Sequence, residues 1–205
     1  MDVVLSTEAV DLQDCDLLAV GFFQDEKPLK ASAGWLDWRL NGLVSRYMKE
    51  NRLTGGWKEI TLVPSQGRVT PRLVLLLGLG RRTDYSTFRV RELSPYLIET
   101  LQKLQISSLC LSLPHGEAYN VEPGKLTAVL LEGISDFRSM HPPSIDEAWL
   151  RTLRLIFAED ERQFPNVLRG VQTAQSTLQD RLEIRILIPP DDRVDCSYDT
   201  KQRGA

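Results

Sequence analysis

The chain has 205 residues, of which 42% are hydrophobic, and its formal net charge is −3. This length and composition predict one domain with a substantial core, and no apolar run is long enough to cross a membrane. The acidic balance does not favour a protein built for duplex DNA, and three widely spaced cysteines predict reduced thiols in the cytoplasm rather than a disulfide framework.

In the first part of the chain, short apolar runs alternate with amphipathic segments. Strands are predicted at 2–6 and 16–23, followed by a single helix that ends near 51–56. Its apolar stripe is formed by Leu36, Leu40, Leu43 and Tyr47. Two more strands are predicted at 59–64 and 72–79. The five consecutive apolar residues 73–77 predict that the second is buried on both faces and lies at the centre of the sheet.

The second part continues the alternation. A stripe of Leu93, Leu97, Leu101 and Leu104 contains Pro95, so this helix is predicted to begin with Ser94 as its N-cap and Pro95 at its first position. A strand at 109–113, a helix from about 122, a strand at 153–157, a helix over 164–178 and a strand at 182–188 follow. We therefore expect one domain at 1–188 and a polar, flexible tail at 189–205.

This order of elements predicts an α/β fold with a mainly parallel sheet that helices cover on both faces. Five segments then resemble, in order and spacing, the N-terminal domain of the leucine (cytosol) aminopeptidases. They are DLLAVGFF (16–23), LDWRLNG (36–42), RLVLLLGLG (72–80), SSLCLSLP (107–114) and LLEGISDFR (130–138). The resemblance covers about residues 3–179 and implies a three-layer α/β/α sandwich related to the macro domain, with a mixed, mainly parallel sheet.

The resemblance implies a role without catalysis, in protein association or regulation. These five segments are packing motifs, which specify a fold better than an activity. The family's metal-binding segment, Asn-Thr-Asp-Ala-Glu-Gly-Arg, does not occur in the sequence. We therefore expect a chain that is not an enzyme and holds no cofactor. The partner is expected to be a second copy, a full-length aminopeptidase or another protein. Some bacterial members of the family bind DNA, which the resemblance leaves open although the composition does not favour it.

The alternative is a macro-domain-like binder of a nucleotide or an ADP-ribose-type ligand, and two loops are candidates for it. Gly78, Gly80 and Arg81 follow a predicted buried strand, where backbone N–H groups and a guanidinium can hold phosphate. His115 and Gly116 follow another strand, at the sheet edge where open α/β folds bind ligands. The simpler interpretation is two glycines that end a strand tightly and a solvated histidine.

Three further features of the sequence could contribute to a binding site. Trp35 and Trp38 lie on different sides of the first helical stripe, so at least one should be exposed and contribute to a protein interface. Asp14 and Asp16 flank Cys15 and could bind a ribose or a cation, although a charged strand entry is the simpler interpretation. His141 is the only other histidine, and the two histidines lack the spacing of a metal site.

Overall fold

The structure, a computed structural model, describes residues 1–140 and 146–190. The strands are β1 (Asp2–Ser6), β2 (Leu17–Phe22), β3 (Ile60–Pro64), β4 (Leu73–Gly78), β5 (Ser108–Ser112), β6 (Arg154–Ala158) and β7 (Arg185–Leu187). The helices are α1 (Ala31–Arg39), α2 (Leu43–Lys49), α3 (Thr87–Lys103), α4 (Pro123–Met140), α5 (Glu147–Thr152) and α6 (Phe164–Leu178). Single 3-10 turns lie at Arg82–Asp84 and Glu117–Tyr119.

The strands form one mixed sheet in the order β3-β4-β2-β5-β6-β1-β7, parallel throughout except for the antiparallel pair β3 and β4. Successive side chains of a strand point to opposite faces. In β1, Val3 and Leu5 accordingly join the core beneath α3, α4 and α6, whereas Val4 joins the core beneath α1 and α2. The predicted three-layer α/β/α sandwich is confirmed.

The prediction that β4 lies at the centre of the sheet is wrong. β4 is the second strand from one edge, and β5 occupies the middle position. Residues 74–78 are nevertheless buried, because helices cover both faces of β4 and a strand pairs with each of its sides. A continuous apolar run therefore indicates that both faces of a strand are covered, but it does not indicate the position of that strand in the sheet.

The predicted first helix is two helices. Asn41 and Gly42 have φ angles of 55° and 69°, in the left-handed region that ends a helix. Asp37 then accepts hydrogen bonds from the backbone N–H and the hydroxyl of Ser45 in the first turn of α2. The turn rotates the apolar stripe, so Val44 is buried where Leu43 was expected.

The predicted start of α3 is also wrong. The helix begins at Thr87, with Ser86 as its N-cap, and continues through Pro95. Proline has no N–H, so the carbonyl of Arg91 loses its partner four residues on. A Cβ atom on Gly133 of α4 would lie 2.5 Å from that carbonyl oxygen. The two helices therefore touch through their backbones where the proline interrupts the hydrogen-bond ladder.

Other differences are smaller. The short helix α5 was not predicted, and the carboxylate of Asp146 caps it by accepting from the N–H groups of Ala148 and Trp149. β7 is shorter than the predicted strand at 182–188. His141 and residues 191–205 lie outside the described residues, so the extent of the domain and the tail at 189–205 stay predictions. Among the helices that the structure describes, none combines the length and apolarity needed to cross a membrane.

Candidate functional site

The glycine loop after β4 has its backbone donors committed within the protein. The N–H groups of Gly78, Leu79 and Gly80 donate to the carbonyl oxygens of Glu59, Phe22 and Gly55 at 2.8, 2.9 and 2.9 Å. A Cβ atom on Gly78 would lie 2.1 Å from the oxygen of Gly56, so this glycine permits a close backbone approach. These donors cannot also cradle a phosphate. A ligand role for this loop stays a prediction that depends on the exposed side chain of Arg81.

The carboxylate of Glu59 holds the segment that packs against this loop. It accepts hydrogen bonds from the hydroxyl of Thr54 at 2.7 Å and from the N–H groups of Gly55 and Gly56 at 2.6 and 3.1 Å. Partial burial opposes ionisation, but these hydrogen bonds outweigh it and lower the pKa of Glu59. No sequence motif predicts this carboxylate, because its partners form a short turn without a recognised pattern.

Aromatic side chains fill the space between the loops that follow β2, β4 and β5. The ring of Phe23 meets the ring of Tyr85 edge-on at 5.0 Å and stacks on Tyr119 at 5.6 Å between centroids. The guanidinium of Arg82 lies 5.2 Å from the centroid of Tyr119 and donates to the carbonyl of Ala118. These contacts tie the two candidate ligand loops to each other and occupy the room between them.

His115 joins the loop after β5 to the loop after β6. Its Nε2 atom lies 3.0 Å from Oε1 of Glu159, and both side chains are mostly buried. Burial alone would lower the pKa of His115, but the hydrogen bond and charge of Glu159, with Asp160 and Glu122 farther away, raise it. The prediction of a solvated histidine is thus wrong, because His115 is a mostly buried member of a pair. Its neighbour Gly116 has a φ of 86° and donates to the carbonyl of Val121 at 2.7 Å.

A cleft of about 540 Å³ opens beside Gly116 at the carboxyl edge of the sheet. Its lining comprises Thr87, Gly116, Glu117, Asn120, Val121, Glu122, Pro123, Lys125, Gln163 and Asn166. At the start of α4 the carboxylate of Glu122 accepts from the N–H groups of Gly124 and Lys125 at 2.9 and 2.7 Å. The helix N-terminus therefore already has an anionic partner, which lowers its capacity to take a ligand anion.

We expect the His115→Gln substitution to lower the free energy of unfolding by about 1 kcal/mol at acidic pH and by much less at alkaline pH. The folded-state pKa of His115 is raised, so its ion pair with Glu159 stabilises fully below the unfolded pKa. That contribution is lost as pH rises through the folded pKa. Urea unfolding at about pH 5.5 and about pH 9 measures the difference.

Arg81→Gln serves as the control for this measurement, because it removes one exposed charge from a neighbouring loop without breaking an ion pair. A loss of stability in His115→Gln that is the same at both pH values would show that the charged pair has no role.

An exposed tryptophan lies on α1, in the helical layer on the other face of the sheet. Trp38 on α1 is 70% exposed, whereas Trp35 is partly buried against the core, so the expectation of one exposed tryptophan is confirmed. The guanidinium of Arg39 lies 4.8 Å from the Trp35 ring centroid and 5.4 Å from that of Trp38. The same guanidinium pairs with the buried carboxylate of Asp11 at 2.9 Å. Arg39 therefore links the buried carboxylate of Asp11 to the faces of both tryptophan rings.

Of the two carboxylates that flank Cys15, Asp16 has a structural role. The Oδ2 atom of Asp16 accepts from the hydroxyl and N–H of Ser107 at 2.7 and 3.0 Å and from the N–H of Ser108 at 2.9 Å. These bonds join the start of β2 to β5, which agrees with the simpler interpretation of a charged strand entry. Burial raises the pKa of Cys15 to about 11 and also raises that of Cys110, so both thiols stay protonated.

Across residues 1–140 and 146–190, no three His, Cys, Asp or Glu side chains form a group that could hold a metal ion.

Residues 19–138 match the N-terminal domain of the cytosol aminopeptidase family. A probable cytosol aminopeptidase of Cyanothece sp. is 29% identical over 136 residues, which are 65% of this chain and 27% of that protein. One from Gloeothece citriformis is 26% identical over 164 residues, 76% of this chain and 32% of its own length. The chain thus spans about a third or less of the curated relatives it matches.

Solved structures share the fold. A macrodomain of Oceanobacillus iheyensis superposes with a TM-score of 0.63 at 13% identity, covering 88% of this chain and 93% of its own. A tomato leucine aminopeptidase mutant superposes with a TM-score of 0.60 at 16% identity, and the match covers 87% of this chain and 37% of that chain. A Trypanosoma brucei macrodomain in complex with ADP-ribose superposes with a TM-score of 0.62 at 14% identity, and the match covers 82% of this chain and 68% of that chain. The expected macro-domain-like architecture is confirmed.

Proposed function

The chain belongs to the cytosol aminopeptidase family through its N-terminal domain, and from this premise we propose that these residues act in the cytoplasm by protein association rather than by peptide hydrolysis. The observation that carries the proposal is the exposure of Trp38, at 70% of its side-chain surface. A tryptophan in water leaves a large apolar area unburied, and tryptophan is among the residues that dominate binding energy at protein interfaces.

The surroundings of Trp38 support this role. Since Arg39 lies beside the ring and is itself paired with Asp11, a partner that covers Trp38 need not leave a charge buried without a counterion. A tryptophan side chain has only two rotatable torsions, so it loses little conformational entropy on binding. A cleft of about 410 Å³, lined in part by Pro28, Leu29 and Gly34, lies beside Trp38 and gives a partner side chain a place to enter.

Two partners are proposed for this surface, a second copy of the chain and a full-length cytosol aminopeptidase. The matched relatives carry this domain within a much longer chain, which makes such a chain a natural partner. Multi-angle light scattering across a concentration series tests self-association. An average mass that rises above 23.3 kDa supports it, and a mass that stays at that value at every concentration excludes it.

The proposal also states that this chain alone does not hydrolyse peptides. Leucyl-anilide hydrolysis with Mn²⁺ or Zn²⁺ should stay at the background rate of the metal ion. Metal-dependent turnover that co-purifies with the protein and disappears with a chelator would overturn this half of the proposal.

A second candidate function is the binding of an ADP-ribose-type nucleotide in the cleft beside Gly116. Its support is the 540 Å³ volume of the cleft, its position at the carboxyl edge, and the fold shared with a macrodomain solved with ADP-ribose. ADP-ribose at a hundred times its dissociation constant would stabilise the folded chain by about 2.7 kcal/mol. No change in stability with ADP-ribose would exclude this candidate.

A further inference from the structure

A second apolar surface lies on the other face of the sheet, in a groove between α3 and α4. Two aromatic side chains of α3 stand in it, Phe88 with 68% and Tyr96 with 45% of the surface exposed. The groove has a volume of about 490 Å³. Pro95 of α3 and Gly133 of α4 also line it. Contiguous exposed apolar surface of this kind marks protein-binding sites.

The floor of the groove is rigid. Gly133 lies against the backbone of Arg91, where an added Cβ would come within 2.5 Å of the carbonyl oxygen. The helices therefore cannot close further, and the small residues Pro95 and Gly133 leave the depression between the larger side chains open. Its shape is a property of the backbone crossing rather than of movable side chains.

The spacing of the two aromatic residues fits a helical occupant. Phe88 and Tyr96 are eight residues apart on one helix, which corresponds to about 12 Å along its axis. Residues seven or eight apart on a partner helix have the same separation, so a helix laid along α3 can meet both rings with one apolar face. This is the helix-in-groove mode of peptide recognition.

The charged side chains that line the groove favour one sign of charge on a bound partner helix. Glu92, Glu99 and Asp136 are carboxylates, and Arg91 is the one cation among the lining residues that the structure describes. Arg91 already pairs with Asp136 at 2.6 Å and with Glu132 at 2.9 Å. The groove therefore presents an excess of negative charge around its apolar surface, which complements a basic partner.

Two lysines border this surface without reversing its sign. Lys103 pairs with Glu99 at 2.6 Å, and both side chains are exposed, so the pair is weak and easily exchanged. The ammonium of Lys58 lies 4.0 Å from the centroid of the Tyr96 ring. This contact shows that the ring face takes a cation, which a basic partner can also supply.

We propose that the groove between α3 and α4 binds an amphipathic helix of a partner protein, with apolar residues against Phe88 and Tyr96 and lysines or arginines against Glu92 and Glu99. The proposal does not rest on the Trp38 surface. Since α1 and α3 cover opposite faces of the sheet, one copy of the domain can hold a partner on each side.

The test uses a fluorescent synthetic helix of leucine and lysine, about 18 residues or five turns long, with fluorescence polarisation as the readout. The wild-type chain should bind it, and should not bind the matched peptide with glutamate in place of lysine. Truncating both rings in the double variant Phe88→Ala and Tyr96→Ala should weaken binding at least about tenfold. Leu12→Ala is the control, because it removes an exposed apolar side chain that lines neither the groove nor the cleft beside Trp38. The affinity of this variant for the basic peptide should equal that of the wild type.

A second variant keeps the test decisive if the aromatic substitutions disturb the fold. The double variant Glu92→Lys and Glu99→Lys changes only side chains at the protein surface. It should lower the affinity for the basic peptide at least about tenfold and allow the acidic peptide to bind. The proposal is overturned if the wild type does not bind the basic peptide, if it binds both peptides equally, or if well-folded variants at the groove bind as the wild type does.

Discussion

Replacing Gly170 by alanine is expected to lower the free energy of unfolding by about 2 kcal/mol, because α6 crosses α4 at backbone contact. A Cβ atom at Gly170 would lie 2.1 Å from the carbonyl oxygen of Gly124, and one at Gly124 would lie 2.3 Å from that of Asn166. The obstructing atoms belong to the backbone, so no side chain can turn away. The helices must separate, and this loss outweighs the gain in helix propensity of about 1 kcal/mol.

Urea unfolding of Gly170→Ala beside Gln172→Ala measures this effect. Gln172 is exposed on the same helix, so its replacement should change stability by no more than about 0.5 kcal/mol. The crossing also places the start of α4, and with it Glu122, at the wall of the cleft. If Gly170→Ala is as stable as the wild type, the account of backbone contact between α4 and α6 is wrong.

Replacing Trp38 by alanine is expected to weaken association by about tenfold or more, since truncation of a central interface tryptophan commonly removes 2 kcal/mol or more. The fold should be unaffected, because the exposed ring adds little to the core. The dissociation constant from sedimentation equilibrium and the midpoint of urea unfolding separate the two effects.

Leu12→Ala is the control for this prediction, as it removes an exposed apolar residue that lines neither the cleft beside Trp38 nor the groove between α3 and α4. Association that is equally strong in Trp38→Ala and in the wild type would assign the interface to another surface. A large drop in stability of Trp38→Ala would show that the ring serves the fold.

The strands and most of the helical stripes follow from the sequence because local periodicity records burial. β1 has the bounds that its apolar pattern predicts, and β2 differs from its prediction by one residue at each end. The errors arise where a local rule competes with packing. Pro95 lies inside α3 because Gly133 of another helix packs against the carbonyl that the proline leaves without a partner. No local pattern can report that contact.

The site residues illustrate a different limit. A glycine pair after a buried strand predicts available N–H groups, but whether the groups are available depends on carbonyls from β2 and from the turn before β3. Likewise, the partner of His115 is Glu159, on a loop that only the order of the strands brings near. That at least one of Trp35 and Trp38 is exposed could be predicted from the sequence, because exposure on a helix follows from position relative to one apolar stripe. The packing of α1 decides that it is Trp38.

The most direct test of association as the function is sedimentation velocity of the wild-type chain, alone over a concentration series and mixed with a full-length cytosol aminopeptidase. The account predicts a boundary that moves faster with concentration or in the mixture, and a return to the monomer rate for Trp38→Ala. A wild-type chain that sediments as a 23.3 kDa monomer at every concentration and in the mixture would contradict it.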